Sequence, residues 1–488
     1  LHGVDTVGDV ESDDNLLIEG DALHTLTALN RIPELAHRYA GQVRLVYIDP
    51  PFNTGQAFAH YDDNLEHSVW LSMLRDRLVQ IKPLLAPSGS IWVHLDDAEV
   101  HRCRCVMDEI LGPANFVAQV TWRSSDNSNN DARTMSNDTN TLLVYSRLPG
   151  WSSVREPASP ERLPHYKNPD DDPRGPYFDG NPLNSPNPRE NLMYDLEAPD
   201  GSVVPHPPNG WRWEKATLEQ RMESGEIRWR DGYSGIYRRT YLADHKGLPA
   251  SNLWADLDQT GHNRQAKYEL KTLFPGVPTA QLFKTPKPER LIRRILAIAT
   301  HPGDIVLDCF GGSGTTAAVA HKMARRWVTS EREADTVHRF TRPRLEKVVS
   351  GEDTGGVSEA VGWSSGGGFR HLRVGPSMFD LDAETGDVFL AEWATNGGFS
   401  EAVAAQLGFE QANSPPFCGR KGRTQLAVLD GVVGAAEVEF LVAALDERER
   451  VMVVGQAFTE DAESTLRTLS PGSRVRHAPH DLLRGGRR

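Results

Sequence analysis

The chain has little sulfur, no long apolar run and no surplus of positive charge. Its four cysteines, Cys103, Cys105, Cys309 and Cys418, are too few and too scattered over 488 residues for a disulfide framework. That excludes a disulfide-stapled secreted domain and favours a reducing compartment. No stretch approaches the roughly 20 apolar residues of a membrane span, which excludes a helical membrane protein. The opening LHGVDTVGDV carries neither a basic head nor an apolar core, so no secretory leader is expected. Lys and Arg number 53 against 67 Asp and Glu, a formal charge of −14. A protein that coats nucleic acid through its phosphates needs the opposite sign. The deficit is not uniform, because from Gln281 to Arg326 eight Lys and Arg face three Asp and Glu. The total is therefore compatible with one basic cleft.

What is present is an ordinary globular composition, with 39% hydrophobic and 25% charged residues. The length suits about three domains, or one large α/β unit with insertions. Residues 15–21 form a short apolar strand, and Ala22 to Ala40 repeats apolar residues at helical spacing. Val43 to Ile48 is apolar on both faces, as the centre of a parallel sheet requires. The pattern recurs as a helix over 69–85, a strand over 90–95 and a helix over 98–111. Strands follow over 115–122 and 140–146. Residues 151–280 are rich in Pro, Gly, Trp and Arg and lack periodicity, so they are expected to form an inserted domain. The alternation then resumes with a helix over 289–299, a strand over 304–308, a helix over 315–324 and a strand over 327–330. Residues 351–369 are Gly/Ser-rich and read as a linker. Residues 370–488 are a further mixed α/β segment. This organisation predicts a doubly wound α/β catalytic domain, its halves at 1–150 and 281–350.

Two motifs carry chemistry. Asp49-Pro50-Pro51-Phe52-Asn53-Thr54-Gly55 directly follows the buried strand, at the end where open α/β sheets bind ligands. An exocyclic amine on a nucleobase delocalises its lone pair into the ring and attacks electrophiles poorly. The Asp49 carboxylate and the Pro50 carbonyl could each accept one of its N–H groups and restore a nucleophilic geometry. The prolines fix φ and hold that carbonyl inward. Phe52 offers a face on which an extruded base can stack. The second motif, Asp308-Cys309-Phe310-Gly311-Gly312-Ser313-Gly314-Thr315-Thr316, is a Gly-rich turn that opens a helix. Such a turn brings backbone N–H groups close to an anionic ligand. It lacks the Lys of a P-loop and the spacing of a dinucleotide fingerprint. Glu331 ends the next strand, where an acid in Rossmann-like sites bonds ribose hydroxyls. Asp21 ends the first strand. Cys103 and Cys105 diverge on a helical pattern with no second pair, so no metal site is expected.

Asp-Pro-Pro-Phe together with Phe-Gly-Gly-Ser-Gly-Thr-Thr resembles the amino-methylating DNA methyltransferases that use S-adenosylmethionine. The catalytic motif precedes the cofactor loop, as in their circularly permuted β class. Asp49 to Gly55 followed by Gly89-Ser-Ile-Trp-Val-His-Leu-Asp-Asp97 is similar to the modification subunits of type III restriction systems. Phe369-Arg-His-Leu-Arg-Val374 also resembles that group's pattern. The resemblance covers residues 14–150 and 250–350 and is thin over 151–250, where such enzymes keep a target-recognition domain.

It implies a permuted Rossmann-like methyltransferase sheet with an inserted target-recognition domain and a C-terminal α/β segment. By the resemblance, Asp49, Pro50, Pro51 and Phe52 hold the target base. Asp308, Phe310, Gly311, Gly312, Gly314 and Thr315 form the cofactor loop, Glu331 takes the ribose, and Asp21 sits near the adenine ring. Thr285-Pro286-Lys287-Pro288-Glu289 resembles the motif ahead of the loop, which puts Lys287 in the cofactor pocket. Asp before the two prolines correlates with adenine N6 over cytosine N4. Asn53, Arg123, Arg212, Arg228, Arg230, Arg238 and Arg239 are candidates for DNA contact, with solvated arginines of a small β domain as the alternative. Double-stranded DNA, a homodimer and a restriction helicase-nuclease are the implied partners, with residues 370–488 as the candidate contact, and the implied location is the bacterial cytoplasm. A cytosine-N4 or RNA methyltransferase, or a non-catalytic recognition subunit, are the competing expectations.

Overall fold

In the computed structural model, the apolar strands come together as one sheet. The structure describes residues 1–9, 15–53, 65–128, 132–156, 163–180, 183–381, 388–392, 394 and 398–483. Thr54 and Gly55, part of the polar stretch 127–133, Asn181 and Pro182 and the basic tail 484–488 lie outside the described residues. The chain divides into two units, residues 1–152 with 251–488, and residues 153–250.

Among the described residues the larger unit is built on ten strands. These are β1 (His2–Gly8), β2 (Asn15–Glu19), β3 (Val43–Ile48), β4 (Leu85–Leu95), β5 (Phe116–Arg123), β6 (Thr139–Ser146), β7 (Leu253–Trp254), β8 (Ile305–Asp308), β9 (Arg326–Glu331) and β10 (Gly368–Arg373). Their spatial order is β1-β10-β2-β9-β8-β3-β4-β6-β5-β7. The run from β10 to β4 is parallel. β1 pairs antiparallel at one margin, and β6 and β5 are antiparallel additions on the other side. Helices α1 (Ala22–Arg31), α2 (Pro33–Tyr39), α3 (His67–Ile81), α4 (Val100–Leu111), α5 (Glu289–Ala299), α6 (Thr315–Lys322) and α7 (Arg342–Ser350) connect or flank the strands. β3 leads through α3 to β4 on one side, and β8 leads through α6 to β9 on the other. The direction of winding therefore reverses between β8 and β3, and a crevice opens there at the carboxyl ends of the strands. Leu16, Ile18, Val46, Ile48, Trp70 and Leu74 are among the fully buried residues of the core beneath it.

The structure departs from the sequence reading at five places. The inserted domain expected over 151–280 ends at Ala250, because Leu253–Trp254 pair with β5 and residues 251–280 belong to the larger unit. The helix expected over 22–40 is two, because Pro33 starts α2 and Ile32 before it is extended (φ −70°, ψ 118°). The strand expected over 90–95 begins at Leu85, with a register shift opposite Val43–Leu45 that absorbs the Pro87–Gly89 segment. Gly89 packs against the Val43 carbonyl, 2.7 Å from where a Cβ would stand. Residues 351–369 are not a free linker. Asp353, Val357 and Ser358 are buried, and the Trp363 indole donates to the Val348 carbonyl at 3.0 Å. Residues 368–373, expected to straddle the start of a separate segment, are β10 of the central sheet.

Beyond β10, residues 399–477 carry a five-stranded sheet with three helices and their own apolar clusters. The smaller unit holds a three-stranded antiparallel sheet (Tyr177–Gly180, Ile227–Trp229, Ile236–Tyr241) and helix Lys215–Glu223 around Leu196, Trp211, Leu218, Ile227 and Ile236. No helix among the described residues is long and apolar enough to cross a membrane.

Candidate active site

The carboxyl ends of β2, β3, β8 and β9 each deliver an acid, Asp21, Asp49, Asp308 and Glu331, to one cleft of about 760 Å³. Pro50, Pro51, Phe52, Phe310, Gly311, Gly312, Thr315 and Lys287 line it as well. Thus the two motifs, remote in sequence, are adjacent in space. Of the residues singled out for catalysis and cofactor, Gly314 alone is not on the wall. It shapes the loop from behind, with a left-handed φ of 77° and Thr341 against it.

The Asp49 carboxylate is held on one side only. Lys287 Nζ donates to Oδ2 at 2.5 Å, while Oδ1 is buried with no hydrogen-bond partner among the described residues. Burial pushes this carboxyl up from its ordinary value, and the Lys287 charge and hydrogen bond pull it back. The same ammonium lies 4.9 Å from the centroid of the Phe52 ring. His94 stands 5.7 Å from Phe52, ring to ring, and shares a 2.9 Å hydrogen bond with the Tyr47 hydroxyl. Burial drives His94 well below its usual range, so this support is neutral. The Pro51 carbonyl accepts from the Trp70 indole at 2.7 Å, which fixes the second proline.

Opposite, the Gly loop is clamped by Glu331. Its Oε2 accepts from the Gly312 N–H and its Oε1 from the Glu333 N–H, both at 2.9 Å. A Cβ on Gly311 would stand 2.5 Å from the Thr329 hydroxyl, and one on Gly312 3.0 Å from Phe283. Gly312 also has a φ of 49°, so it requires glycine on two counts and Gly311 on one. Asp308 accepts from the Phe310 N–H at 3.0 Å, and burial raises its carboxyl to about 7. Asp21 caps α1 through the Leu23 N–H and takes Arg77 Nη2 on both oxygens at 2.9 Å.

Several candidates for DNA contact are spent on the fold. Asn53, buried with φ 61°, ties its amide to the Leu65 backbone and to Glu99 at 2.7 Å, so it is a latch at the base of the motif. Arg239 is buried and held by Asp170 and Asp172, so it is not available to a phosphate. Arg238 pairs with Glu226 at 2.7 Å, Arg230 with Asp179 at 2.7 Å, and Arg228 with Asp172 at 3.6 Å. Arg123 donates to the Ser125 and Asp126 carbonyls. Arg212 is exposed beside Trp213. Residues 153–250 hold thirteen Lys and Arg against sixteen Asp and Glu, which accounts for the pairing.

The sequence reading missed Tyr47, Arg77, Phe283 and Phe340, which also line the cleft. Tyr47 carried a signal, two positions before Asp49 on the same strand and so on its face. Arg77, on an ordinary amphipathic helix, carried none.

Known proteins with related sequences bear on this site. The chain is 29% identical over 417 residues, 74% of its length, to the "Probable type III restriction-modification enzyme HindVI Mod subunit" of Haemophilus influenzae, of which it covers 54%. It is 30% identical over 349 residues, 64% of its length, to the type III StyLTI Mod subunit of Salmonella typhimurium, covering 50% of that protein. It therefore spans about half the length of these relatives. Among solved structures, the PvuII cytosine-N4-specific DNA methyltransferase aligns with a TM-score of 0.38 and 16% identity over 70% of this chain and 90% of that one. Residues 43–341 match the DNA methylase family of N6 and N4 methyltransferases, which takes in both motifs and the cleft between them, and the chain belongs to that family.

Proposed function

We propose that this chain transfers a methyl group from S-adenosylmethionine to the N6 amine of a flipped-out adenine in double-stranded DNA. We read it as the modification component of a type III-like restriction-modification system. The observation that carries the reading is the Asp49 carboxylate, with one oxygen held by Lys287 and the other unpartnered among the described residues, in the same cleft as the glycine loop.

The residues present fit the cofactor. A Cβ at Gly311 would run into Thr329 on β9 and one at Gly312 into the Phe283 ring, so glycine lets the loop lie close along the wall of a cleft of about 760 Å³ that can take the cofactor. Glu331 is held by the Gly312 and Glu333 N–H groups at the end of β9, where its carboxylate borders the cleft that would take the ribose. Asp308, Phe310 and Gly311 to Thr315 would hold the cofactor together with Glu331. When bound, it supplies a methyl group already activated by a positive sulfur. No strong base or metal is then needed, and the protein's share is positioning and electrostatics. Asp49 Oδ1 accepts one amine proton and the Pro50 carbonyl the other, which draws the nitrogen lone pair out of conjugation. Phe52, backed by neutral His94, stacks the extruded base. The proton released after attack passes from the amine toward the Asp49 side of the cleft.

Adenine rather than cytosine rests on the Asp that opens the motif, a correlation within the family. The relatives named as Mod subunits support the restriction-modification reading and the association with a helicase-nuclease.

The test is incubation with labelled S-adenosylmethionine and genomic DNA free of adenine methylation, followed by nucleoside mass spectrometry, beside Asp49→Ala. N6-methyladenine from the wild type alone, with cofactor binding retained in the variant, is the expected result. N4-methylcytosine would overturn the base assignment. Absence of any product with DNA and cofactor bound would overturn the catalytic reading in favour of a recognition subunit.

A further inference from the structure

The sequence places Lys287 in the cofactor pocket, but the side chain reaches the other motif. It is 8% exposed, lies on Phe52 and donates to Asp49 Oδ2. A buried carboxylate with two free oxygens can rotate, and its anion is costly away from water. Asp49 has neither freedom, because one oxygen is fixed by an ammonium. The other is an acceptor with no donor among the described residues. The amine of a base needs one such acceptor and no more, since its second N–H goes to a backbone carbonyl.

We propose that Lys287 is a positioning residue for Asp49: it fixes the carboxylate through Oδ2 so that the group meets the target amine in one orientation. This rests on the methyl-transfer reading above and adds a role to a residue expected only to line the cofactor site. The pair also decides the charge of Asp49. Burial favours the protonated acid, and a protonated Asp49 would lose acceptor strength on the oxygen that the amine must use. Lys287 opposes that protonation. The other groups around the pair do not replace it. Asp308, from β8, is a second acid, Tyr47 on β3 is a neutral phenol, and His94 on β4 is neutral. Asp96 and Glu331, at the ends of β4 and β9, add negative charge to the cleft wall, and the Arg77 guanidinium is taken by Asp21.

The mutation Lys287→Met tests this, with Lys287→Gln as a second variant should the first not fold. Removing an opposite charge at this distance raises a carboxyl by about one to three units. The acidic limb of kcat against pH is therefore expected to move up by that amount. The rate falls on the acidic side of the profile and recovers toward the wild type as the pH is raised. Cofactor affinity, read by calorimetry without DNA, stays within about threefold. Lys287→Arg keeps the charge and the wild-type profile. Loss of cofactor affinity with an unmoved pH profile would overturn the proposal and leave Lys287 a cofactor ligand. An infrared difference between Lys287→Met and Lys287→Met/Asp49→Asn gives an arm independent of turnover. A protonated carboxyl band that persists to a higher pH than in the matching wild-type and Asp49→Asn pair is expected, and an unmoved band overturns the proposal. Wild-type protein that makes no methylated base would instead count against the methyl-transfer reading, and the infrared arm still decides the role of Lys287.

Discussion

Lys322→Met should be strongly destabilising. Lys322 is fully buried at the end of α6, with its Nζ 3.0 and 2.9 Å from the two Glu289 oxygens and 2.8 Å from Asp353. Glu289 also takes Arg344 at 2.7 Å and the Val357 N–H at 2.9 Å, and Arg344 reaches the Thr315 hydroxyl at 2.8 Å. Removing the ammonium leaves Glu289 with one cation and Asp353 with none. Breaking a buried pair from one side costs about 3–5 kcal/mol, because the remaining charge stays out of water. At roughly 2 °C per kcal/mol for a large unit, the melting temperature should fall by about 6–10 °C. The loss should appear first as faster proteolysis of the 351–367 strap, which Asp353 and Val357 anchor. Adding Asp353→Asn should restore part of it, since no unpaired anion then remains. The measurement is calorimetry and limited proteolysis on the wild type, both singles and the double. A loss below about 1 kcal/mol, or a double variant equal to the sum of the singles, would refute the view that these charges are interdependent.

Two further outcomes follow from the same geometry. Glu269, half-buried beside Glu289, has its carboxyl raised to about 7 against an ordinary 4.5. The folded state thus binds the extra proton between those values, and stability falls as pH rises through them, by at most about 3 kcal/mol. Glu269→Gln should therefore stabilise the protein at pH 8 and leave it unchanged at pH 4, read by denaturant unfolding. Equal effects at both would contradict the assignment. Glu331→Gln puts an amide N–H₂ against a backbone N–H on one side of the clamp. The loss of one charge-assisted bond, about 1.5–3 kcal/mol, should weaken cofactor binding roughly 10- to 100-fold by calorimetry, and an unchanged affinity would remove Glu331 from the site.

The parts of the site legible in the sequence were the local ones. Asp49 to Phe52 and Asp308 to Thr315 each declare themselves by a turn that only a ligand-facing strand end would need. The winding of the sheet followed from apolar runs of the right length and brought the two motifs together. Partnerships across long sequence distance were not legible. Nothing near Lys287 says that it meets Asp49, and nothing near Arg239 says that Asp170 and Asp172 wait in the turn before the neighbouring strand. A run of arginines looks like a phosphate surface until the acids that neutralise it are placed. The stretch over 351–369 misled for a related reason. Its glycines and serines have the composition of a tether, while three anchoring residues, Asp353, Val357 and Trp363, do the packing. Asn53 in the motif was assigned to the substrate, yet its amide closes on Leu65 and Glu99.

Lys287 and Glu289 are separated only by Pro288, and they point into two different places. One side chain reaches the Asp49 carboxylate, and the other enters the buried cluster of Lys322 and Arg344. For a lineage carrying this fold, the tripeptide is a fixed ruler. An insertion or deletion there would disconnect the reactive carboxylate and the interior fastening in one event. No second mutation at either place could repair both. Change in this region is therefore confined to exchanges that conserve length.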